Sequence, residues 1–510
     1  MSMSYNSVRY LLGFLPVLLL SYQVTPRKFR WILLLLFNVL FFWMWSGRLL
    51  VWMLISIFIA FIAGKVMINI GSSKDREKRK KEKKKKKRIK FWAILFELAI
   101  LISLKYTNFI GSSVSSLTGN VWNTLNIAVP IGISYYTLQS ISFIADVQTG
   151  KIQEVSLRKL ALYMSFFPTI VEGPITRYEE VGDFLAAGES LKAENISVGF
   201  ERIIIGLLKK TVIADHLAGT VNALFAGYGQ NGALAFLGAV FCTWQLYMDF
   251  SGTIDIAIGS AKMLGITLPE NFRQPFFAKN AGDFWHRWHI TLGTFFRDYI
   301  FYPVSLSKPV MKMTKFLRAH DMKWGSRYAG PALALLLVWL ANGFWHGPHL
   351  TYVGYGLYYF VLMFIEMQLT KPFEKWCARH HLAGMPLTVF RFIKLFFIVI
   401  IGEMFFRAST FTAGWAMFCT WFKPWHLSEA VSFLLSNGLD SIDWIASIAA
   451  SIFLISISVL KEKKFPIRKK FQSQTTIVRW GILYTIMIYI ALFGAYGPGY
   501  DAIAMMYANF

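Results

Sequence analysis

DFWHRWHITL at residues 283–292 and NGFWHGPHL at 342–350 place histidines beside tryptophans inside a very apolar chain. Each stretch adjoins segments apolar enough to lie in a membrane. Hydrocarbon offers an ionisable side chain no hydrogen-bond partner, so a histidine in a membrane segment is a candidate functional group. The two stretches predict an all-α membrane protein with buried acid–base chemistry.

The overall composition supports the membrane class. The chain has 510 residues, of which 55% are hydrophobic and 16% are charged, whereas a soluble domain carries about 25% charged residues. The apolar runs predict about eleven spans, each near the length needed to cross hydrocarbon. We therefore expect a multi-pass protein of the cell membrane, with residues 1–510 forming a single membrane-embedded domain.

The net charge of +25 is concentrated in short segments between the apolar runs. Residues 74–90 (KDREKRKKEKKKKKRIK) hold 13 Lys and Arg against 3 Asp and Glu. This pattern is typical of cytoplasmic loops in membrane proteins, and not of a nucleic-acid-binding surface. We predict a basic cytoplasmic loop at 74–90 that also attracts anionic membrane lipid, and no nucleic-acid partner.

The basic segments also orient the second histidine stretch. Residues 308–327 and 371–381 are rich in Lys and Arg, so both should be cytoplasmic. The chain between them then crosses outward and returns, which places the turn at 347–349 on the outer side. His346 is therefore expected at the outward end of a helix.

His346 is the sharpest candidate for catalysis. Trp345 can wall a pocket beside it, while Gly347 and Pro348 fix a turn and end the helix. A histidine has an ordinary pKa near 6.5, so a neutral imidazole can take a proton from a hydroxyl nucleophile. The alternative is a purely structural histidine that bonds a backbone carbonyl and holds the turn.

His289 is the second candidate. On a continuous helix, His286 and His289 would share one face. One imidazole can orient or polarise a thioester carbonyl, while Arg287 or Arg297 binds a phosphate or carboxylate. The alternative is an interfacial belt of Trp, Arg and His.

Two further polar sets lie in apolar surroundings. Asp249 and Ser251 stand near a Ser-Gly step that resembles a helix break lining a cavity, and Glu172 and Arg177 flank a Gly-Pro bend. Substrate contact and structural ion pairing are both open for these residues. Two HxxH spacings, at 286/289 and 346/349, lack a nearby acid, so we predict no metal site.

The motifs together resemble those of the membrane-bound O-acyltransferase family, in its bacterial polysaccharide branch, whose members O-acetylate alginate or export D-alanine to teichoic acid. The resembling stretches are PIGISYYTLQSISFIADV (130–147), FFPTIVEGPITRY (166–178), YMDFSGTIDIAIG (247–259), DFWHRWHITLGTFFRDYIFYPV (283–304), NGFWHGPHLTYVGYGLYY (342–359) and GEMFFRA (402–408).

This resemblance implies a ring of tilted helices around a tunnel, with His346 matching the family's catalytic histidine and His289 its second histidine. It implies no bound cofactor, and a donor that is an acyl thioester, either acetyl-CoA or a carrier-protein thioester. It further implies a polysaccharide acceptor and an extracytoplasmic SGNH-hydrolase-like partner. The predicted substrate-binding residues are Trp285, Arg287, Asn342, Trp345, Asp249, Ser251, Glu172 and Arg177.

The predicted function is transfer of an acyl group, most simply acetyl, from a cytoplasmic thioester across the membrane toward an extracellular or cell-wall polysaccharide. The chain is longer than is typical of the D-alanyl exporters, which favours acetyl. Transfer of D-alanine to teichoic acid from a carrier protein remains an alternative. A third alternative is a proton-linked transporter or flippase whose His and Asp residues relay protons.

Overall fold

A computed structural model describes residues 3–71, 73–437 and 439–496 of the chain. Across these ranges the chain is 79% helical and contains no strand. The prediction of an all-α protein is confirmed.

The helices follow one another with short connections. The first twelve are α1 (Leu15–Val24), α2 (Arg30–Ser46), α3 (Leu50–Asn69), α4 (Arg76–Lys105), α5 (Thr107–Thr118), α6 (Ile133–Thr149), α7 (Leu157–Ser165), α8 (Phe167–Ile170), α9 (Tyr178–Ala187), α10 (Ala193–Leu207), α11 (Asp215–Gly227) and α12 (Gly232–Met263). The other twelve are α13 (Ala281–Trp285), α14 (Ile290–Phe296), α15 (Tyr302–Ser305), α16 (Lys308–Ala319), α17 (Lys323–His346), α18 (Leu350–Arg379), α19 (Met385–Arg407), α20 (Phe411–Thr420), α21 (Leu427–Ser436), α22 (Ser441–Glu462), α23 (Ile467–Gln472) and α24 (Thr476–Phe493). Short π-helical turns occupy Arg9–Phe14, Leu208–Ala214 and Arg297–Phe301, and 3₁₀ turns occupy Arg27–Phe29, Gly47–Leu49 and Pro275–Phe277.

Six helical runs among the described residues are long and apolar enough to cross a membrane, which makes this a multi-pass membrane protein. A seventh is present if α4 and α5, bent by 69° where they meet, form one span. The six runs are Arg27–Asn69, Gly232–Met263, Lys323–His346, Leu350–Arg379, Ser441–Glu462 and Thr476–Phe493.

The count is lower than the predicted eleven for two physical reasons. The run Arg27–Asn69 has 43 residues, about 65 Å of helix, so it is long enough for two of the predicted spans. It is interrupted at Gly47, whose φ is 48°. Elsewhere Pro and Gly interrupt apolar segments, so that the apolar stretch at 159–173 forms the short helices α7 and α8 and not a full span.

The chain divides into two compact units. Of the described residues, the first contains those up to Ile203 and Thr253–Pro269, and the second contains Ile204–Gly252 and those from Glu270 onward. The division falls within helices α10 and α12. That residues 1–510 act as a single membrane domain stays a prediction.

The first unit is organised around helices α3, α4 and α6, which pack against one another. At their junction Glu97 of α4 is fully buried and accepts hydrogen bonds from Ser56 and Ser140 at 2.8 and 2.7 Å. Its two oxygens therefore both have donors, as a buried carboxyl requires.

The basic segment 74–90 differs from the predicted loop, because Arg76–Lys90 is the exposed first half of α4. Asp75 caps this helix by accepting from the Lys78 backbone N–H at 2.8 Å. Lys, Arg and Glu are good helix formers. Their helix propensity, together with the N-terminal cap, offsets the repulsion between neighbouring lysines.

The second unit contains the helical hairpin of α17 and α18, against which α16 and α19 pack. Two glycines let the hairpin close tightly. A Cβ on Gly343 would lie 2.5 Å from the Tyr352 carbonyl oxygen, and one on Gly356 would lie 2.3 Å from that of Trp339. Small residues of this kind let membrane helices approach at backbone distance.

Candidate functional site

Both candidate histidines lie in the second unit, but the first histidine stretch is not one helix. Helix α13 ends at Trp285, and His289 stands at the N-terminus of α14 with φ 44° and ψ 51°. The expectation that His286 and His289 share a helical face is therefore wrong. His is one of the few non-glycine residue types that tolerate this left-handed conformation.

The hydrogen bonds of Asn271 fix the orientation of His289. The Asn271 Oδ1 accepts from the Thr291 backbone N–H at 3.1 Å and from the Thr291 hydroxyl at 2.9 Å, so this atom is the amide oxygen. The His289 Nδ1 lies 3.2 Å from the same oxygen and must therefore carry a proton. Nε2 is then the basic nitrogen of the ring.

His289 is 2% exposed, and it lies outside the candidate membrane spans. Its ring packs edge to face on Phe250, with 4.8 Å between ring centroids. Burial lowers the pKa of the His289 imidazole to about 3, because an apolar environment disfavours the charged form. The ring is therefore neutral at physiological pH.

His346 is the last residue of α17 and is 4% exposed. Its ring is surrounded by aromatic side chains from three helices. The centroid distances are 5.0 Å to Trp345, 5.0 Å to Phe406, 6.2 Å to Tyr352 and 6.2 Å to Tyr355. These contacts hold the imidazole in one place at the end of the helix.

Trp345 contacts both candidate histidines. Its ring centroid lies 5.6 Å from that of His289 and 5.0 Å from that of His346. The fold thus brings the two histidine stretches together, although His346 lies 57 residues after His289 in the sequence. The predicted substrate-binding residue Trp345 is the side chain shared by the two imidazoles.

A cavity of about 570 Å³ opens beside His289, a size typical of sites for small ligands. His286, Trp285 and Asn342 line it together with His289, and Pro331 of α17 is also in its wall. The other lining residues are mostly apolar. His346 is not among the residues that line this cavity.

The two candidate arginines, Arg287 and Arg297, have different surroundings. The Arg287 guanidinium is held by two carboxylates, with Nε 3.0 Å from Asp283 and Nη1 2.8 Å from Glu462. Arg297 lines the cavity and is half exposed, with Asp298 as its ion-pair partner. Of the two, Arg297 is the better placed to meet an anionic ligand.

Trp285 and Asn342 face the cavity from two different elements. The Trp285 ring contacts the rings of Trp339 and Tyr359, each with 4.9 Å between centroids. Asn342 is buried on α17, one turn before His346. The part of α17 that lines the cavity therefore lies one helical turn from His346.

Asp249 and Ser251 are both buried in α12. Asp249 belongs to a charged cluster, in which the Lys210 Nζ lies 2.6 Å from the Asp249 Oδ1 and 2.7 Å from the Asp215 Oδ1. Lys210 is itself fully buried, in the π-helical turn. This geometry favours ion pairing as the role of Asp249, one of the two alternatives that the sequence left open.

Glu172 and Arg177 belong to the first unit. Glu172 is fully buried. Arg177 is the N-terminal cap residue of α9, and its backbone N–H donates to the Glu180 carboxylate at 2.8 Å. Their predicted contact with substrate stays a prediction.

Sequence reasoning missed three residues that the structure makes prominent. Asn271 orients His289, Lys210 pairs with Asp249, and Glu403 is a fully buried carboxyl on α19. Glu403 lies within the quoted motif GEMFFRA, where an acid in an apolar run was the available indication. No motif or pattern in the sequence around Asn271 indicated that it belongs to the site. Among the described residues, no group of three or more His, Cys, Asp or Glu side chains is placed to hold a metal ion.

Comparison with known proteins assigns the family. The family model of the membrane-bound O-acyltransferases (MBOAT) matches residues 50–317, which is more than half of the chain. This chain belongs to the MBOAT family. It is therefore a membrane O-acyltransferase, as predicted. The matched region contains His289 and ends before His346.

Individual relatives cover more of the chain than the family model does. A probable alginate O-acetylase of Pseudomonas syringae is 30% identical over 439 residues, covering 84% of this chain and 77% of the relative. A peptidoglycan O-acetyltransferase of Helicobacter pylori is 28% identical, covering 79% of this chain and 77% of the relative. A teichoic acid D-alanyltransferase of Bacillus subtilis is 32% identical over 288 residues, covering 55% of this chain and 69% of the relative.

Proposed function

We propose that this MBOAT protein transfers an acetyl group from a cytoplasmic thioester donor to a polysaccharide hydroxyl on the outer side of the membrane. The observation that carries the proposal is the pair of buried imidazoles in contact with one tryptophan, with a cavity reaching the first of them. Two relatives named for O-acetylation of polysaccharides support the choice of reaction.

In this reaction His346 acts as the general base. Its imidazole accepts the proton of the attacking hydroxyl as the new C–O bond forms at the thioester carbonyl carbon. The C–S bond then breaks, and the proton passes from the imidazole to the departing thiolate. Proton transfer by a positioned histidine typically accelerates such a step by about 10²–10⁴-fold.

His289 serves the donor side. Its ring is neutral, and the proton on Nδ1 is directed to Asn271, so Nε2 is an acceptor for a donor group of the thioester arm. The predicted role of polarising the carbonyl would need a proton on Nε2. A role in orienting the donor is therefore the better match to the tautomer.

The cavity fits the small end of an anionic thioester. Arg297 and Lys371 line it and supply the positive charge that phosphate groups prefer, while its mostly apolar wall suits an acyl–pantetheine arm. Holding donor and acceptor in a reactive geometry lowers the activation free energy by about 7–11 kcal/mol in favourable cases. No resident cofactor is required by this scheme.

Acetyl is favoured over D-alanyl by the charges of the cavity. A D-alanyl group carries an ammonium, which needs a carboxylate partner. The acid among the described lining residues is Glu366, and its two oxygens already accept from Lys394 and from the Ala281 backbone N–H. The O-acetylating relatives also cover more of this chain than the D-alanyltransferase does.

The acceptor class follows from the same relatives, which are named for alginate and peptidoglycan. We propose a surface or cell-wall polysaccharide, reached through an extracytoplasmic SGNH-hydrolase-like partner, with anionic lipid around the basic half of α4. The cavity is far smaller than a polymer, which supports the view that only the acyl group passes through the protein.

The test compares His346→Ala with His349→Ala in membranes that contain the full chain and receive labelled acetyl-CoA. His349 is exposed three residues further on, so it is a matched control. Base-labile acetyl ester on the isolated polysaccharide is measured by mass spectrometry. We expect His346→Ala and His289→Ala to lose transfer and His349→Ala to retain it. An active His346→Ala protein would refute the catalytic assignment.

A further inference from the structure

The environment of His346 contains a buried carboxyl that the proposed reaction does not use. Glu403 of α19 is 1% exposed. Burying an ionisable carboxyl in a membrane protein is costly, so such a residue is a candidate for a functional role. The Tyr355 hydroxyl donates to the Glu403 Oε1 at 2.9 Å. This hydrogen bond joins α18 to α19 next to the end of α17.

The Tyr355 ring connects this bond to the histidine. Its centroid lies 6.2 Å from that of His346 with the rings at 86°, an edge-to-face contact. The same ring lies 6.2 Å from Trp285, which lines the cavity. Tyr355 therefore contacts both the cavity-lining Trp285 and the imidazole, and its hydroxyl is tied to α19.

Phe406, on the same face of α19 as Glu403, also contacts the imidazole. Phe406 is three residues after Glu403, so both side chains lie on one helical face. The Phe406 centroid is 5.0 Å from that of His346 and 5.1 Å from that of Tyr355. The hydrogen bond from Tyr355 to Glu403 thus links the helices that carry two of the four rings around the imidazole.

We propose that Glu403 is a positioning residue for His346 and acts through the Tyr355 hydroxyl. The hydrogen bond holds the Tyr355 ring against the imidazole, so that the basic nitrogen keeps one orientation toward the acceptor hydroxyl. This role rests on the proposed function. It assigns Glu403 no contact with substrate and no proton transfer.

The test uses four variants of the full chain in membranes: Tyr355→Phe, Glu403→Leu, Glu403→Gln and the double variant Tyr355→Phe/Glu403→Leu. Tyr355→Phe and Glu403→Leu break the hydrogen bond, whereas Glu403→Gln keeps an acceptor oxygen for the Tyr355 hydroxyl. Because Tyr355→Phe removes a single oxygen, it remains informative even if Glu403→Leu fails to insert.

We expect Tyr355→Phe and Glu403→Leu each to lower kcat by about tenfold or more, since a small misplacement of a catalytic group is costly. The KM for acetyl-CoA should stay unchanged, and Glu403→Gln should keep most of the wild-type kcat. The double variant should be no slower than the worse single variant, because both changes remove one interaction.

Three results would overturn the proposal: wild-type kcat in Tyr355→Phe, additive losses in the double variant, or a Glu403→Gln protein as slow as Glu403→Leu. These outcomes differ from failure of the proposed function. In that case the wild-type protein itself shows no acetyl transfer, or His346→Ala remains active. If wild type transfers acetyl and His346→Ala does not, the four variants test positioning alone.

Discussion

At the residue scale, the two histidines have different chemical settings. His289 is locked by Asn271 and is neutral, whereas His346 is enclosed by rings at a helix end. Trp345 touches both. In the proposed function, His289 orients the donor and His346 accepts the proton.

The low pKa of His289 has a consequence for stability. The folded-state pKa is about 3, below the ordinary value of 6.5 in an unfolded chain. Between these values the unfolded state binds a proton that the folded state does not, so stability falls as pH drops below 6.5. At pH 5 this one residue costs on the order of 2 kcal/mol relative to pH 8.

We therefore expect His289→Asn to show a smaller loss of thermal stability between pH 8 and pH 5 than the wild-type protein shows. The measurement is the unfolding temperature of detergent-purified protein at both pH values. The exposed-histidine variant His349→Ala should lose as much stability as wild type. Equal losses in His289→Asn and wild type would contradict the burial of His289.

Sequence composition was enough to single out the histidines, because Trp/His clusters in an apolar chain are rare and costly. The partners could not be found in the same way. Asn271 lies 18 residues before His289, and Glu403 lies 48 residues after Tyr355. Such pairs depend on how separate elements pack, which a single sequence does not specify.

At the element scale, the expectation that His286 and His289 share one face of a helix was wrong. Helical spacing treats the segment as one regular helix. Asn271, however, accepts hydrogen bonds from His289 and Thr291 and so stabilises a break between α13 and α14. The long helices α17 and α18 follow the predicted apolar segments, since their length and composition alone require helix in a membrane.

The hairpin of α17 and α18 is expected to tolerate no side chain at Gly343. The Cβ of Gly343→Ala would meet the Tyr352 carbonyl oxygen at 2.5 Å, so the helices must separate at a cost of about 1–3 kcal/mol. Because His346 follows within one turn, acetyl transfer should fall together with the unfolding temperature.

Gly325→Ala provides the control on the same helix. Its Cβ would lie 3.5 Å from the Leu317 side chain, an ordinary contact, and Ala is the better helix former. This variant should retain both activity and stability. If Gly343→Ala behaved like Gly325→Ala, the close approach of the two helices would be incorrect.

At the scale of the whole molecule, composition established the membrane class and the basic segments, but not the number of spans. Breaks at Pro and Gly, and the merging of two predicted spans into the 43-residue run Arg27–Asn69, changed the count. These features depend on helix ends, which apolar runs define poorly. The form of residues 76–90 was likewise missed, because charge patterning indicates sidedness and not secondary structure.

The basic half of α4 provides a test of donor identity. Replacing Lys83–Lys87 with Gln keeps helix formers and removes five charges. We expect transfer from acetyl-CoA to be unchanged, because the cavity has its own cations in Arg297 and Lys371. Transfer rates with acetyl-CoA and with an acyl-carrier-protein thioester are compared in the same membranes.

Lys371→Gln is the contrasting variant, and it should raise the KM for acetyl-CoA. A loss confined to the carrier-protein thioester in the Lys83–Lys87 variant would instead support a carrier protein as the natural donor. A loss with both donors would show that the basic helix is needed for more than donor recognition.

The left-handed backbone at His289 also limits which residues can replace the histidine without disturbing the fold. Asn and Asp adopt that conformation readily, and each is one base change away from a histidine codon. Asn is also uncharged, as this buried position requires, so a null allele that still gives a folded protein should be Asn. Single-base changes to Tyr, Leu or Pro would damage the backbone as well, and their loss of function would say little about the imidazole.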